Sequence, residues 1–351
     1  MIFFRQLNST LKSPTRNSSI DVWRGIAILA VVLFHFDGYL PFGSIGVDLF
    51  FVISGLLVGG ILTDKLFNNK QINYLRFLLQ RGFKIWPSYY TFIVLGTITA
   101  TLFYNNDYSS QIIPLSDMKR YLLFYQNYTG APFHWSFDHI WSLCVEEHFY
   151  ILLPLLFLSI RYFNSNKKLL IASLILLILL GFFFKYYMLN FTNSKDTYSA
   201  THNRIDALAW GVLLNVILKL YHSTIKKYTY LILFFFLGFI GLICTIYIHQ
   251  QFDSLFYSKV VYHSVLPLCF VLMILGTYFI DFSKLKFLRI IGYYSYNWYL
   301  WHPVIAIITI QNFGNSWMVL FLYLILSFSV GVIFTMTIEE TFLRIRKKMM
   351  Y

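Results

Sequence analysis

The sequence DVWRGIAILAVVLFHFDGYL, residues 21–40, is an apolar stretch of helical length that contains an arginine and a histidine. About 20 mostly apolar residues are enough for an α-helix to cross the hydrocarbon core of a bilayer. Arg24 and His35 are eleven residues apart, which places both on one face of a helix, about 16 Å apart along its axis. Because ionisable side chains are costly in lipid, this face is predicted to meet a cavity or a protein partner. The alternatives are an arginine that reaches the membrane surface and a structural histidine.

The composition indicates that the whole chain, and not only this stretch, is suited to a membrane. Of the 351 residues, 58% are hydrophobic and only 12% are charged, whereas soluble proteins carry about 25% charged residues. The net charge of +13 does not indicate a nucleic-acid partner, because the basic residues lie between hydrophobic stretches. The three cysteines form neither a disulfide framework nor a metal-ligand spacing, so no metal is expected. The protein is therefore expected to lie in the lipid bilayer.

Hydropathy predicts an all-α, polytopic integral membrane protein with about ten transmembrane helices. None of the stretches between them is long enough for an independent soluble domain. The predicted spans are residues 21–40, 45–63, 84–104, 139–160, 168–188, 205–220, 229–249, 260–281, 293–311 and 317–338.

The distribution of basic residues predicts the orientation. With a cytoplasmic N-terminus, 21 Lys and Arg residues fall in cytoplasmic segments and 6 in outer segments, with Arg24 inside the first span. This bias is typical of cytoplasmic loops, so both termini are predicted to be cytoplasmic. Residues 1–19 form a cytoplasmic segment without a signal-peptide cleavage pattern. Residues 20–340 form the membrane domain, and residues 341–351 a basic cytoplasmic tail.

Polar residues also lie in the second and third spans. Gly46 and Gly55 allow close helix approach or a backbone break, and Ser54 either faces a substrate or bonds to its own helix. Arg81 and Lys84 lie where the third span enters the membrane. They either follow the cytoplasmic charge bias or anchor a polyphosphate, since both residue types bind phosphate well.

The fourth span carries two adjacent carboxylates, Glu146 and Glu147, followed by His148. Neighbouring helical positions point about 100° apart, so one carboxylate is predicted to meet the cavity and the other an internal partner such as an Arg. Arg204 and Asp206 open the sixth span and do not share a helix face, so each needs its own partner. Glu146 or Glu147 is suggested as one of these partners.

The ninth span carries a polar stripe. Ser295, Tyr299 and His302 are at positions i, i+4 and i+7, which lie on one helix face. Pro303 frees a backbone carbonyl in the same stretch. A polar channel is favoured over an interfacial aromatic belt, because the belt accounts for the aromatic residues but not for His302.

Six motifs in order on these spans resemble the acyltransferase-3 family of integral membrane acyltransferases. The resemblance runs from about Ile20 to Glu340, and six ordered motifs are far more specific than any one of them. The motifs are an Arg followed after ten residues by a His (24–35), GVDLFFVISG (46–55), a basic cluster ending in Ile-x-Pro (81–87), WSLxVEExFY (141–150), RxDxL (204–208) and SYxxYLxHP (295–303).

The resemblance implies an O-acyltransferase of the bacterial cytoplasmic membrane. It implies that an acyl group, usually acetyl, moves from cytoplasmic acyl-CoA to a hydroxyl of a cell-surface or lipid-linked glycan such as lipopolysaccharide O-antigen. The family requires the Arg and His of the first span, which assigns catalytic roles to Arg24 and His35. Its basic cluster serves coenzyme A, which assigns Arg81 and Lys84 to the donor, acetyl-CoA or another acyl-CoA.

The sequence departs from the family pattern at three positions. Gln80 and Lys84 stand where the family often has Arg, and His148 stands where it usually has Gln. Individual phosphate contacts and a role for His148 therefore stay open. Some relatives carry a C-terminal esterase-like domain, which is not expected here because a basic tail follows from Thr341.

The expected mechanism is transfer through the membrane. Acyl-CoA binds at the cytoplasmic mouth, with its phosphates near Arg24, Arg81 and Lys84. Its thioester reaches toward His35, which acts as general base or carries the acyl group. Glu146 or Glu147 orients the imidazole, as a carboxylate does in a catalytic triad. The alternative is a proton-coupled secondary transporter or a glycan flippase, which intramembrane Glu and His residues suit equally well.

Overall fold

The computed structural model describes residue 11 and residues 16–128, 134–163, 166–192, 198–225, 231–252 and 254–350. Within these residues the chain forms α-helices joined by loops and short 3-10 or π turns, without a β-strand. The long helices are α1 Ser18–His35, α2 Ile45–Phe67, α3 Tyr74–Phe103, α4 Trp141–Tyr162, α5 Lys167–Phe191, α6 Thr201–Leu220, α7 Ile232–Gln251, α8 Tyr262–Thr277, α9 Lys286–Phe313 and α10 Trp317–Phe334, followed by α11 Glu340–Met350.

Seven segments of the described chain are long and apolar enough to cross a membrane, and they contain α1, α2, α4, α5, α7, α8 and α10. This confirms the predicted all-α, polytopic fold. Helices α3, α6 and α9 lie at the other three predicted spans. The total of ten spans and the cytoplasmic side of both termini stay predictions.

Two helices begin earlier than their predicted spans. Helix α3 starts at Tyr74 and not at residue 84, because the side-chain oxygen of Asn73 accepts a hydrogen bond from the backbone N–H of Arg76 at 2.8 Å. Helix α9 starts at Lys286 and not at residue 293. The first turns of both helices contain Lys or Arg residues, which lower the mean hydropathy and so delay the predicted start of the span. Lys and Arg are good helix formers, so the helix itself begins earlier.

Glycines allow two close helix pairs that shape the bundle. A Cβ atom at Gly55 would collide with the backbone of α6, and one at Gly211 with the backbone of α2. Gly25 and Gly292 do the same for α1 and α9. The predicted close approach at Gly55 is thus confirmed, and α1 lies directly against α9, which Arg24 and His35 both contact.

Short elements fold over the end of the bundle where α1 ends and α2 begins, which is the predicted outer end. Among them, Trp135–Asp138 leads through a two-residue turn into α4. The ring of Trp135 contacts the ring of His35, with centroids 5.6 Å apart. This turn therefore brings His139 beside the end of α1.

Candidate active site

A cavity of about 150 Å³ lies between α1, α2, α3, α4 and α9. A water molecule needs roughly 10–15 Å³ on this measure, so the cavity has room for a small organic group. Its walls are formed by Arg24, Val47, Phe50, Phe51, Ile53, Ser54, Leu57, Val58, Arg81, Lys84, Ile85, Ser142, Leu143, Glu146, Tyr150, Ser295, Tyr296 and Tyr299.

Three basic residues gather at the end of the cavity nearest the start of α1. Arg24 donates to the Ser295 hydroxyl on α9 at 2.9 Å. The Arg81 guanidinium lies over the Tyr150 ring, 4.9 Å from its centroid. Lys84 forms an ion pair with the buried Glu339. All three predicted basic residues therefore face one cavity, which favours an anionic ligand.

The two adjacent carboxylates point in different directions, as helical geometry predicts. Glu146 lines the cavity and accepts a hydrogen bond from the Tyr150 hydroxyl at 2.7 Å. Glu147 points toward α3, where it accepts a hydrogen bond from the Trp86 indole N–H at 2.9 Å. Its internal partner is therefore a tryptophan and not the suggested arginine.

Tyr150 connects the polar groups at the middle of the cavity. Its oxygen lies 2.7 Å from the Ser54 hydroxyl and 3.4 Å from Arg81 Nη2. Because Tyr150 donates to Glu146, it accepts from both of these groups. Ser54 therefore bonds across the cavity and not back to its own helix.

The polar stripe on α9 runs beyond the cavity. Ser295 and Tyr299 line it, but the fully buried His302 does not. The Tyr299 hydroxyl donates to the backbone carbonyl of His139 and lies 2.7 Å from the Ser142 hydroxyl. The Tyr299 ring thus closes the cavity on the side of the histidines.

Three histidines lie directly behind Tyr299, and we call them the histidine cluster: His35, His139 and His302. The ring centroids are 4.9 Å apart for His35 and His302, 5.3 Å for His139 and His302, and 6.3 Å for His35 and His139. The Tyr299 centroid lies 5.1 Å from that of His139. The predicted shared face of α1 is confirmed, since Arg24 and His35 both meet α9.

Arg204 and Asp206 lie outside the cavity, in a second group of buried charges that we call the sealed cluster, together with Asp48 and Lys185. Arg204 pairs with Asp48, and Lys185 pairs with Asp206. All four side chains are at most 2% exposed. Because α6 packs against α2 and α5, its first turn meets these partners and neither of the suggested glutamates.

Aromatic rings complete the surroundings of the sealed cluster. The Arg204 guanidinium lies 5.5 Å from the centroid of Phe51, 5.9 Å from that of Trp141 and 5.1 Å from that of Tyr198. A desolvated guanidinium is attracted to ring faces at such distances. This group of charges is therefore enclosed by protein and not open to a ligand.

His148 and the cysteines have no place in the cavity. The Nδ1 atom of His148 lies 2.7 Å from the Thr201 hydroxyl at the start of α6. Cys144 and Cys269 are buried, Cys244 is exposed, and all three are free thiols. Among the described residues no group of three His, Cys, Asp or Glu side chains is arranged to hold a metal ion.

Sequence reasoning missed three residues of this region. Tyr150 is four residues after Glu146, a spacing that places two side chains together on a helix, so it could have been found. Glu339 lies in the π turn Thr335–Glu339 after α10, and no sequence pattern predicts its contact with Lys84. His139 lies just before α4, and only the folded turn brings it to His35.

The fold and the site define a polytopic membrane protein with a basic cavity that ends at Tyr299, in front of a cluster of three histidines. The family model described as an acyltransferase domain matches residues 17–336. The chain therefore belongs to the acyltransferase-3 family, which confirms the resemblance seen in its motifs.

Named relatives agree with this family. The chain is 27% identical to an O-acetyltransferase OatA of Staphylococcus aureus, over 92% of this chain and 56% of that protein. It is 27% identical to the peptidoglycan O-acetyltransferase OatA of Listeria monocytogenes, over 85% of this chain and 52% of that protein. The chain thus spans about half the length of these relatives.

Proposed function

We propose that this protein transfers an acetyl or similar acyl group from cytoplasmic acyl-CoA to a glycan hydroxyl on the other side of the bacterial cytoplasmic membrane. The observation that carries the proposal is the line of groups that runs from the basic cavity, past the Tyr299 ring, to the histidine cluster. Arg24 marks its start and His35 its end, both on α1 and both against α9.

The basic end of the cavity suits the donor. Coenzyme A carries phosphates, and the guanidinium groups of Arg24 and Arg81 match phosphate oxygens. Lys84 contributes a third positive charge, although Glu339 already pairs with it. We propose that these residues bind coenzyme A and that Ser54, Glu146 and Ser295 line the arm that carries the thioester.

The histidine end supplies the chemistry. The Nδ1 atom of His35 lies 2.9 Å from the backbone carbonyl of Val31, so it carries a proton and donates. The other nitrogen, Nε2, then holds a lone pair and takes the proton of the acceptor hydroxyl. The hydroxyl oxygen attacks the thioester carbon, the coenzyme A thiolate leaves, and the proton on His35 passes to that thiolate.

The carboxylates do not orient His35 in the predicted way. Glu146 bonds to Tyr150 and Glu147 to Trp86, whereas a backbone carbonyl holds His35. We propose that Glu146 acts instead through Tyr150 and Ser54 on the shape and charge of the donor cavity.

A cell-wall or lipid-linked glycan is the proposed acceptor. A relative that covers most of this chain is named a peptidoglycan O-acetyltransferase, which supports a glycan of this class. Lipopolysaccharide O-antigen is the other acceptor that we propose to test. Both present many hydroxyl groups outside the cytoplasmic membrane.

The test is acyl transfer by the purified protein in detergent. We expect acetyl-CoA to release free thiol when solubilised peptidoglycan chains or lipopolysaccharide are added, with acetylated glycan detected by mass spectrometry. The same glycan with methylated hydroxyls is the control and releases none. Proton-driven glycan uptake into vesicles without thiol release would contradict the proposal and favour a transporter or flippase.

A further inference from the structure

We infer that His139 is a catalytic residue, whose ring N–H donates a hydrogen bond to the acyl carbonyl oxygen when this oxygen becomes negatively charged. The inference rests on the proposed acyl transfer. It adds to His35 a second histidine, which no motif of the sequence singled out.

The His139 side chain is buried and unpartnered. The residue is 5% exposed, and neither ring nitrogen makes a hydrogen bond of good geometry, although the backbone carbonyls of Tyr299 and Leu300 lie close enough to interact with the ring. A buried polar group without a well-formed hydrogen bond lowers the stability of the protein. The His139 ring therefore keeps a hydrogen-bonding capacity that the folded protein does not use fully.

The neighbouring histidines are held in a defined tautomer. Nδ1 of His302 lies 2.7 Å from the backbone carbonyl of Tyr299, and Nδ1 of His35 lies 2.9 Å from that of Val31. A carbonyl only accepts, so both Nδ1 atoms carry the proton and both Nε2 atoms hold lone pairs. His35 and His302 therefore present acceptors, and His139 is the member of the cluster that is free to present a donor.

The acyl transfer needs both a hydrogen-bond acceptor and a hydrogen-bond donor near the thioester. Attack on the thioester carbon moves an electron pair onto the carbonyl oxygen, and expulsion of the coenzyme A thiolate restores the double bond. Donors placed at the developing oxyanion act strongly where water is excluded. The same oxyanion forms whether the acceptor hydroxyl attacks directly or His35 Nε2 attacks first, so the inference holds for both routes.

The position of His139 fits this role. The cavity ends at Tyr299 and Ser142, and the His139 ring packs directly behind the Tyr299 ring. His35 lies on the other side of the cluster, with its centroid 6.3 Å from that of His139. A thioester that passes the Tyr299 ring would meet a hydrogen-bond donor at His139 and a base at His35.

Three substitutions test the inference. His139→Leu keeps much of the volume and removes the donor, His139→Asn keeps an N–H near the place of Nδ1, and His139→Gln keeps one near Nε2. Each protein is purified in detergent and assayed with acetyl-CoA and the glycan that the wild type acetylates. Monodispersity in gel filtration and the acetyl-CoA dissociation constant report on the fold and on the cavity.

For His139→Leu we expect kcat to fall about 100- to 1000-fold, the loss typical of removing one oxyanion donor. The KM for acetyl-CoA is expected to stay near that of the wild type, because the basic residues remain. Either His139→Asn or His139→Gln is expected to recover much of kcat, and which one does identifies the donating nitrogen.

Two results would overturn the inference alone. These are a His139→Leu protein with wild-type kcat, and equal losses in all three variants together with weaker acetyl-CoA binding. If His139→Leu is not monodisperse, the inference stands only if one amide variant is active and the other is not. A wild-type protein that acetylates neither glycan would refute the proposed function, and this inference with it.

Discussion

The donor cavity and the sealed cluster both contain charged residues inside membrane helices, but they use them differently. The cavity is lined by three basic residues and one carboxylate, and it has room for a ligand. The sealed cluster contains two basic and two acidic residues that pair with each other. A charge in a membrane helix therefore indicates a ligand site only where its partners in the protein do not balance it.

The position of the two groups adds to this contrast. The sealed cluster joins α2, α5 and α6, the part of the bundle with the tight glycine contacts of Gly55 and Gly211. The cavity lies where α1, α2, α3, α4 and α9 leave a space, although α1 and α9 are themselves in close contact. One group of charges thus joins helices, and the other faces a space that a bound molecule can enter.

The largest effect is expected for His35→Ala. Loss of a general base lowers kcat by about 100- to 10,000-fold, measured as acetyl transfer from acetyl-CoA to the accepted glycan. His148→Ala is the matched control, because His148 lies outside the cavity, and it is expected to retain activity. Normal transfer by a membrane-inserted His35→Ala protein would contradict the proposed mechanism.

Arg204→Met is expected to lower stability but not catalysis. Removing one partner of a buried ion pair costs about 3–5 kcal/mol, because it leaves Asp48 without its partner. The measurement is unfolding in detergent micelles, with the kcat of the folded fraction recorded below the transition.

The control is the double variant Arg204→Met with Asp48→Leu. Replacing both members of a buried pair by apolar residues is often neutral or stabilising, so the double variant is expected to recover most of the lost stability. If Arg204→Met instead keeps its stability and loses acetyl-CoA binding, the sealed cluster is a binding site and the contrast fails.

Arg81→Gln is expected to weaken donor binding. A hydrogen bond to a charged group contributes about 1.5–3 kcal/mol, which corresponds to a rise in the acetyl-CoA dissociation constant of about tenfold to hundredfold. Arg344→Gln is the control, since Arg344 is 62% exposed and pairs within its own helix. Equal affinities of the two variants would mean that Arg81 does not contact coenzyme A.

Tyr299→Phe is expected to have the smallest effect. It keeps the ring and removes hydrogen bonds that hold the ring but touch no reacting atom, so we expect kcat to fall by about tenfold, the equivalent of one such bond. Tyr323→Phe removes a similar buried hydroxyl, bonded to Val32, and is expected to leave kcat unchanged. A complete loss in Tyr299→Phe would show that the hydroxyl itself takes part in the reaction.

Helical periodicity and hydropathy predicted much of this protein. The spacing of Arg24 and His35 predicted that they share a helix face. Glu146 and Glu147 are neighbours in the sequence, which predicted that their side chains point in different directions. These predictions depend on one helix at a time, and the geometry of a helix follows from its backbone hydrogen bonds.

Contacts between helices could not be predicted in the same way. Arg204 was expected near a glutamate of α4, but the glycine-dependent contact of α2 with α6 gives it Asp48. His139 had no signal of its own, because its role depends on a turn that folds against α1. Which residues meet across helices depends on packing and register, and a single sequence does not specify either.

The Tyr299 ring, which separates the donor cavity from the histidine cluster, also bears on the energy supply of the cell. A water-filled passage through a bacterial membrane would let protons leak and would dissipate the proton-motive force. An aromatic ring held at its hydroxyl by Ser142 and by the His139 carbonyl lies between the two sites. A ring in this position lets a protein place one site on each side of it and still oppose the passage of water and ions.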